Sequence, residues 1–152
     1  MGILEGKKIL VTGVLTDASI AFHIAKIAQE QGAEVLLTSF GRGMSITKRI
    51  ASRLPKEPPV IELDVTNQEH LAQLANEVSR YFTHLDGVVH SIGFAPSTAL
   101  GGNFLNTTWG DVSTALEVSA YSFKSLTMAC QSLIDPVKGA SIVGLDFDAQ
   151  VA

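Results

Sequence analysis

The segment Lys7–Ala28, KKILVTGVLTDASIAFHIAKIA, constrains the fold more than any other stretch of this sequence. Ile9, Leu10 and Val11 form a short, partly β-branched apolar run, as in a central parallel strand covered on both faces. Gly13 ends that run where the chain must turn sharply and a ligand can approach the backbone. From Ser19 the period becomes helical, with Ala21, Ile24, Ala25 and Ala28 on one stripe. Strand, glycine turn and helix form the front half of a dinucleotide-binding unit. Free N–H groups and the positive dipole end of such a helix face a pyrophosphate.

The usual G-x-G-x-x-G fingerprint is not there. It would need glycines two and five positions after Gly13, where Leu15 and Ala18 stand, and the next glycine is Gly32. Five residues and then Ser19-Ile20-Ala21 occupy the place. A longer loop of this kind can bring the Ser19 hydroxyl and the N–H groups of Ser19 and Ile20 to phosphates. Ala21 is small enough to let the helix lie against the strand. Taken alone, the stretch also reads as an ordinary strand–loop–helix of some other α/β protein.

The rest of the chain repeats the alternation. Glu34–Phe40, Val60–Leu63, Leu85–His90 and Ala140–Leu145 read as strands. Between them, Met44–Leu54 reads as a short basic helix. A second helix follows Thr66-Asn67-Gln68-Glu69, taken as a capping box, with Leu71, Leu74, Ala75, Val78 and Phe82 as its apolar stripe. Asp111–Ile134 reads as one long helix, with Val112, Leu116, Ser119, Phe123, Leu126, Cys130 and Leu133 at spacings of four and three. Residues 95–108 read as a loop over the carboxyl edge of the sheet. Right-handed crossovers make this βαβαβαβαβ pattern a Rossmann-like, doubly wound parallel sheet ordered 3-2-1-4-5. Ligands of such sheets lie beyond the carboxyl ends of the strands, which directs attention to Gly13–Ile20, Phe40, Asp64-Val65, Ser91–Phe94 and residues 146–147.

Composition narrows the class. At 152 residues with 46% hydrophobic content, the chain can fill the core of one domain, and no linker or repeat divides it. No apolar run approaches the roughly 20 residues of a membrane span. A net charge of −4 argues against nucleic acid as the main partner. A single cysteine, Cys130, excludes an internal disulfide and fits a reducing, cytoplasmic setting.

Five pieces, GVLTDASIAFHIA, ELDV, HSIGFAP, SAYSF and SIVGLDFD, resemble the enoyl-acyl-carrier-protein reductases of the short-chain dehydrogenase/reductase superfamily. Ordinary ketoreductases of that superfamily carry T-G-x-x-x-G-x-G and N-A-G runs instead. AQEQGAEVLLTSF and LDGVVHSIGF are most similar to the actinobacterial branch, which reduces long-chain enoyl thioesters destined for mycolic acids. The resemblance implies NADH as cofactor, an enoyl thioester of acyl carrier protein as substrate, and a homo-oligomer, a tetramer, at full length. It implies that Gly13 makes the turn and that Ser19 and Ile20 lie along the pyrophosphate. Phe40 stands at the tip of the second strand, and Asp64-Val65 would meet the adenine. Ser91, Ile92 and Gly93 would run under the ribose and nicotinamide side, Val118 would flank the cofactor, and Phe147 would sit beside nicotinamide and substrate. The second strand ends Thr38-Ser39-Phe40, with no basic residue at its tip, which favours NADH over NADPH although Arg42 is close.

The residues also carry plainer readings. Asp64 alone reads as a solvated turn residue and Phe147 as core; only the resemblance turns them toward a site. His23, His70 and His84 lack a carboxylate partner at ligand spacing and read as structural or solvated. His90 reads as a packed core histidine, Cys130 as an inert core thiol, and Trp109 receives no role. The superfamily's catalytic Tyr-x6-Lys pair is not found: seven positions after Tyr81 and Tyr121, the only tyrosines, stand Val88 and Met128. The expectation is therefore the N-terminal part of a longer reductase, residues 1–152 being one NAD-binding domain whose sheet is incomplete at its C-terminal side. The last strand would form an unprotected apolar edge, and Leu116, Phe123 and Leu126 would be exposed. The alternatives are a dinucleotide-binding module without chemistry, or a short-chain dehydrogenase acting on a ketone or alcohol.

Overall fold

The computed structural model describes residues 2–146. Five parallel strands, β1 (Lys8–Val11), β2 (Glu34–Ser39), β3 (Val60–Glu62), β4 (Gly87–His90) and β5 (Ser141–Gly144), form one sheet in the order β3-β2-β1-β4-β5. β1 lies between β2 and β4, so the chain reverses its direction of travel across the sheet there. Such a reversal opens a crevice at the carboxyl edge.

Alternation along the strands builds two cores. Val11, Val35, Leu37 and Val89 pack under α1 (Ile20–Glu30) and α2 (Gly43–Ala51). Leu10, Leu36, Ile61 and Val88 face the other way, toward α3 (Gln68–Ser79) and the helical segment after β4. Ala21 and Ala25 are fully buried, so α1 lies close over β1 and β2. Gly32, at φ +94°, ends α1 by turning the chain into β2.

Several local expectations need correction. The N-cap of α3 is Asn67, whose Oδ1 accepts from the N–H groups of Glu69 and His70 at 2.9 and 3.2 Å. Thr66 is engaged elsewhere, its N–H and hydroxyl both donating to Asp64 Oδ1 at 2.9 and 2.7 Å. The capping box lies instead at Thr108, which starts the helical segment after β4 at Trp109, two residues before the expected start at Asp111. That segment is not one helix. It comprises α4 (Trp109–Leu116), a π-turn (Glu117–Tyr121), α5 (Ser122–Cys130) and a 3₁₀ turn (Gln131–Leu133).

The exposed stripe is realised only in its first half. Leu116 and Phe123 are exposed, but Leu126 is fully buried with Cys130 and Leu133 among Leu74 and Val78 of α3. β5 is the edge strand, and Val143 within it and Leu145 just after it are exposed. His84 does have a carboxylate partner, its Nε2 lying 3.3 Å from Asp86 Oδ2. Among the described residues no helix is long and apolar enough to cross a membrane, and no His, Cys, Asp and Glu cluster could hold a metal ion.

Candidate functional site

A cleft of about 370 Å³ opens at the carboxyl edge of the sheet. It is lined by Gly13–Leu15 after β1, Thr38–Phe40 at the end of β2, residues 63–66 after β3, residues 91–94 after β4, and Val118 of the π-turn. The volume is within the range of small-molecule sites, about 300–1,000 Å³. A larger hollow of about 450 Å³ lies along Ile9, Val89 and Val143 on the β5 side. That hollow gathers the amino ends of β1, β4 and β5, not their carboxyl ends, so the carboxyl-edge cleft is the candidate site.

Of the residues expected from the sequence, the cleft gathers Gly13, Phe40, Asp64, Val65, Ser91, Ile92, Gly93 and Val118. Ser19 and Ile20 are not in its lining; they stand at the start of α1. Phe147 lies outside the described residues. Val14, Leu15 and Phe94, within the strand-end stretches the sequence pointed to, line it too, while sequence reading missed Thr38, Ser39, Leu63 and Thr66. Their only signal was adjacency to a strand end.

The floor of the cleft depends on close backbone approach. Gly13 has φ +84°, and a Cβ there would stand 1.8 Å from the Ser91 carbonyl oxygen. Beside it, the fully buried Thr12 donates its hydroxyl to the Val89 carbonyl at 2.9 Å and accepts from the Ser91 N–H at 3.1 Å. β1 and β4 are thus joined at their tips as well as along their ladder. Buried Thr47 of α2 donates to the Val14 carbonyl at 2.7 Å and fixes the next residues of the turn.

Ser19 serves as N-cap of α1. Its hydroxyl donates to the Thr16 carbonyl at 2.7 Å and accepts from the Phe22 N–H at 3.2 Å. Its own N–H is taken up by the Thr16 carbonyl, at 3.2 Å. The Ile20 and Ala21 N–H groups, by contrast, have no acceptor among the described residues. Two unpartnered donors at the positive end of a helix, with Ala21 fully buried, fit an anionic group such as a phosphate.

On the β3 side, the Asp64 N–H donates to His70 Nδ1 at 3.1 Å, which gives that histidine its structural role. Asp64 Oδ1 is taken by Thr66, while Oδ2 accepts no hydrogen bond among the described residues. A carboxylate oxygen in a cleft walled by Leu15, Phe40, Val65, Ile92 and Val118 suits a flat heterocycle with a polar edge. On the β4 side, burial pushes His90 below the usual imidazole range, disfavouring the charged ring. Its Nε2 is 2.7 Å from Ser122 Oγ, and its ring meets Phe123 edge-on with centroids 5.7 Å apart. Gly144 leaves room for that phenyl ring: a Cβ there would stand 3.1 Å from it.

A cleft with apolar walls and a free carboxylate oxygen, whose Gly13–Leu15 edge leads on to a helix start with unpartnered N–H donors, suits a nucleotide. Comparison with known proteins agrees. A family model described as enoyl-(acyl carrier protein) reductase matches residues 13–152. The chain is 53% identical to an enoyl-[acyl-carrier-protein] reductase [NADH] of Mycolicibacterium smegmatis, covering 97% of this chain and 55% of that protein. It is 49% identical to the protein of the same name from Mycobacterium avium, over 97% of this chain and 55% of that one. A Neisseria meningitidis enoyl-[acyl-carrier-protein] reductase [NADH] is 38% identical, over 97% and 56%. The chain therefore spans about half the length of the curated relatives it matches. With that match running from the Gly13 turn onward, on a parallel sheet ordered 3-2-1-4-5, the chain belongs to the enoyl-(acyl carrier protein) reductase family.

Proposed function

We propose that this chain forms the cofactor-binding part of an NADH-dependent enoyl reductase acting on trans-2-enoyl thioesters of acyl carrier protein in type II fatty acid synthesis. One observation carries the reading. Four strand ends and the π-turn converge on a single cleft in a chain 53% identical to a relative named for that activity. The resemblance to mycobacterial relatives favours long acyl chains, a cytoplasmic setting and a self-assembling longer protein. Exposed Trp109, Leu116, Tyr121 and Met128 along the helical segment support self-association.

NADH would supply a hydride to the β-carbon of the enoyl thioester. The residues of this chain would bind and orient it. The N–H groups of Ile20 and Ala21 would receive the pyrophosphate, with Ser19 holding the helix start in shape. Asp64 and Val65 would take the adenine, beside Phe40 at the tip of β2. Ser91, Ile92 and Gly93 would run beneath the ribose and nicotinamide side, and Val118 would close the cleft from the helix. Phe147, outside the described residues, is proposed to stand beside nicotinamide and substrate. Hydrogen-bond stabilisation of the developing enolate belongs to a Tyr-x6-Lys pair. This sequence holds no such pair, so the 152-residue chain should bind cofactor without turning substrate over.

Calorimetric titration with NADH, beside an absorbance assay of NADH oxidation with a trans-2-enoyl thioester, tests both parts. Binding without oxidation is expected. Failure to bind NADH would refute the cofactor assignment, and oxidation would refute the claim that the chemistry needs residues this chain does not supply.

A further inference from the structure

We propose that Ser119 and Ser122 are positioning residues of the cofactor site: from the wide helical turn they grip both ends of the run His90–Phe94 and set the backbone that floors the cleft. The proposal rests on the cofactor reading above and extends it to residues that do not line the cleft.

The run needs such an anchor. Ser91, Ile92 and Gly93 all line the cleft. Ser91 is held by Thr12, but Ile92, Gly93 and Phe94 make no backbone–backbone hydrogen bond among the described residues. Packing does not hold the run at Gly93, where an added Cβ would meet nothing within 4 Å. Ile92 rests against the core below β4, but from Gly93 to Phe94 the backbone has neither ladder nor packing and takes its shape from what holds its ends.

Both ends are fixed from around this turn, by Ser119 within it and by Ser122, the first residue of α5. The exposed Ser119 hydroxyl accepts from the Phe94 N–H at 2.9 Å and donates to the Phe94 carbonyl at 3.0 Å. It satisfies both backbone groups of one residue, as a neighbouring strand would. Three positions on, Ser122 Oγ donates to the Val118 carbonyl at 2.6 Å, leaving its lone pairs to accept from His90 Nε2 at 2.7 Å. A hydroxyl has one proton, and the carbonyl can only accept, so His90 carries its proton on Nε2. Ser122 thereby couples His90 at the end of β4 to Val118, which faces the cleft. A π-turn is uncommon and frequently marks a functional site. Here it brings Ser119 and Ser122 to bear on strand-end backbone at once.

Ser119→Ala is the informative variant, since Ser119 is exposed and no core is at stake. Alanine is also the better helix former, so the melting temperature should hold or rise slightly. NADH affinity by calorimetry should fall by roughly 3–10-fold, the span expected of one or two net hydrogen bonds. Hydrogen exchange at the Phe94 amide should quicken, and Ser119→Thr, which keeps the hydroxyl, should restore both. Ser122→Ala should weaken NADH similarly, at some cost in stability because that residue is buried. Unchanged NADH affinity in a folded Ser119→Ala, with wild type binding normally, would overturn the positioning role alone, and so would unchanged exchange at Phe94. Failure of the wild type to bind NADH would overturn the cofactor reading and this inference together.

Discussion

Replacing Gly13 by alanine should damage stability and cofactor binding together, by an amount the geometry allows to be worked out. The backbone there has φ +84°, which costs a residue with a Cβ roughly 1–2 kcal/mol. The new Cβ would stand 1.8 Å from the Ser91 carbonyl oxygen and 2.8 Å from its carbon, so the Ser91 backbone must move. It cannot move freely, because its N–H is held at 3.1 Å by the fully buried Thr12 hydroxyl. Losing that bond and leaving a donor unsatisfied costs about 1–3 kcal/mol more. A total of roughly 2–5 kcal/mol corresponds to a fall of about 5–15 °C in melting temperature for a domain near this size. Gly101→Ala is the control. Its φ is +68°, but nothing lies within 4 Å of its Cβ, so it should lose only the roughly 1–2 kcal/mol of strain. Urea unfolding of both variants, read at matched slopes, separates collision from strain. Equal losses for the two would refute the claim that β1 and β4 are locked together at this point.

Four further outcomes are expected. Ser19→Leu should weaken NADH and also cost about 1 kcal/mol in urea unfolding, because the hydroxyl it removes caps α1; full affinity for NADH would remove the helix start from the site. NADH should bind more tightly than NADPH in calorimetry, and the reverse order would show that Arg42 takes a 2′-phosphate. Although burial opposes ionisation of Asp86, hydrogen bonds from the Lys8 N–H and Lys7 Nζ, both at 2.9 Å, hold its carboxyl below the usual range. A depressed folded value means stability present above the unfolded value, near 4, and lost as pH falls through the folded one. Asp86→Asn should accordingly cost about 1 kcal/mol at pH 7 and little at pH 2, and a pH-independent difference would refute the ionic account. Burial pushes the Cys130 thiol up to about 12, so it should resist a disulfide reagent at pH 8 until urea unfolds the chain.

The sheet order was legible because each strand is a short apolar run between helical periods, and crossover handedness leaves few arrangements. The cleft was largely legible for the same reason: a doubly wound sheet places its ligand at known strand ends, so Gly13, Asp64 and Gly93 could be named before any coordinates. What failed were choices between near-equivalent neighbours. Thr66 and Asn67 both cap helices well, and only the pull of Asp64 on the Thr66 hydroxyl decides for Asn67. The π-turn was hidden because spacings of four and three continue smoothly from Val112 to Leu133, while the departure lies in the backbone, where the Ser122 N–H reaches back to the Glu117 carbonyl. Leu126 was expected at the surface, but α3 approaches closely enough to bury it. The cap role of Ser19, whose hydroxyl bonds Thr16 and Phe22, was likewise not foreseen beside the phosphate role expected of it. Thr12 and Ser119 act wholly through backbone partners distant in sequence, which no local pattern reveals.

Amide hydrogen exchange of the chain with and without NADH tests the central claim most directly, because it reports where the cofactor sits as well as whether it binds. Slowed exchange is predicted in three separate stretches, residues 13–21, 64–66 and 91–94, with the Ile20 and Ala21 amides among the most protected. The amino-terminal edge of the sheet around Lys7, Asp86 and Lys138 should be unaffected. Protection confined to that edge, or none at the three strand ends under saturating NADH, would contradict the account.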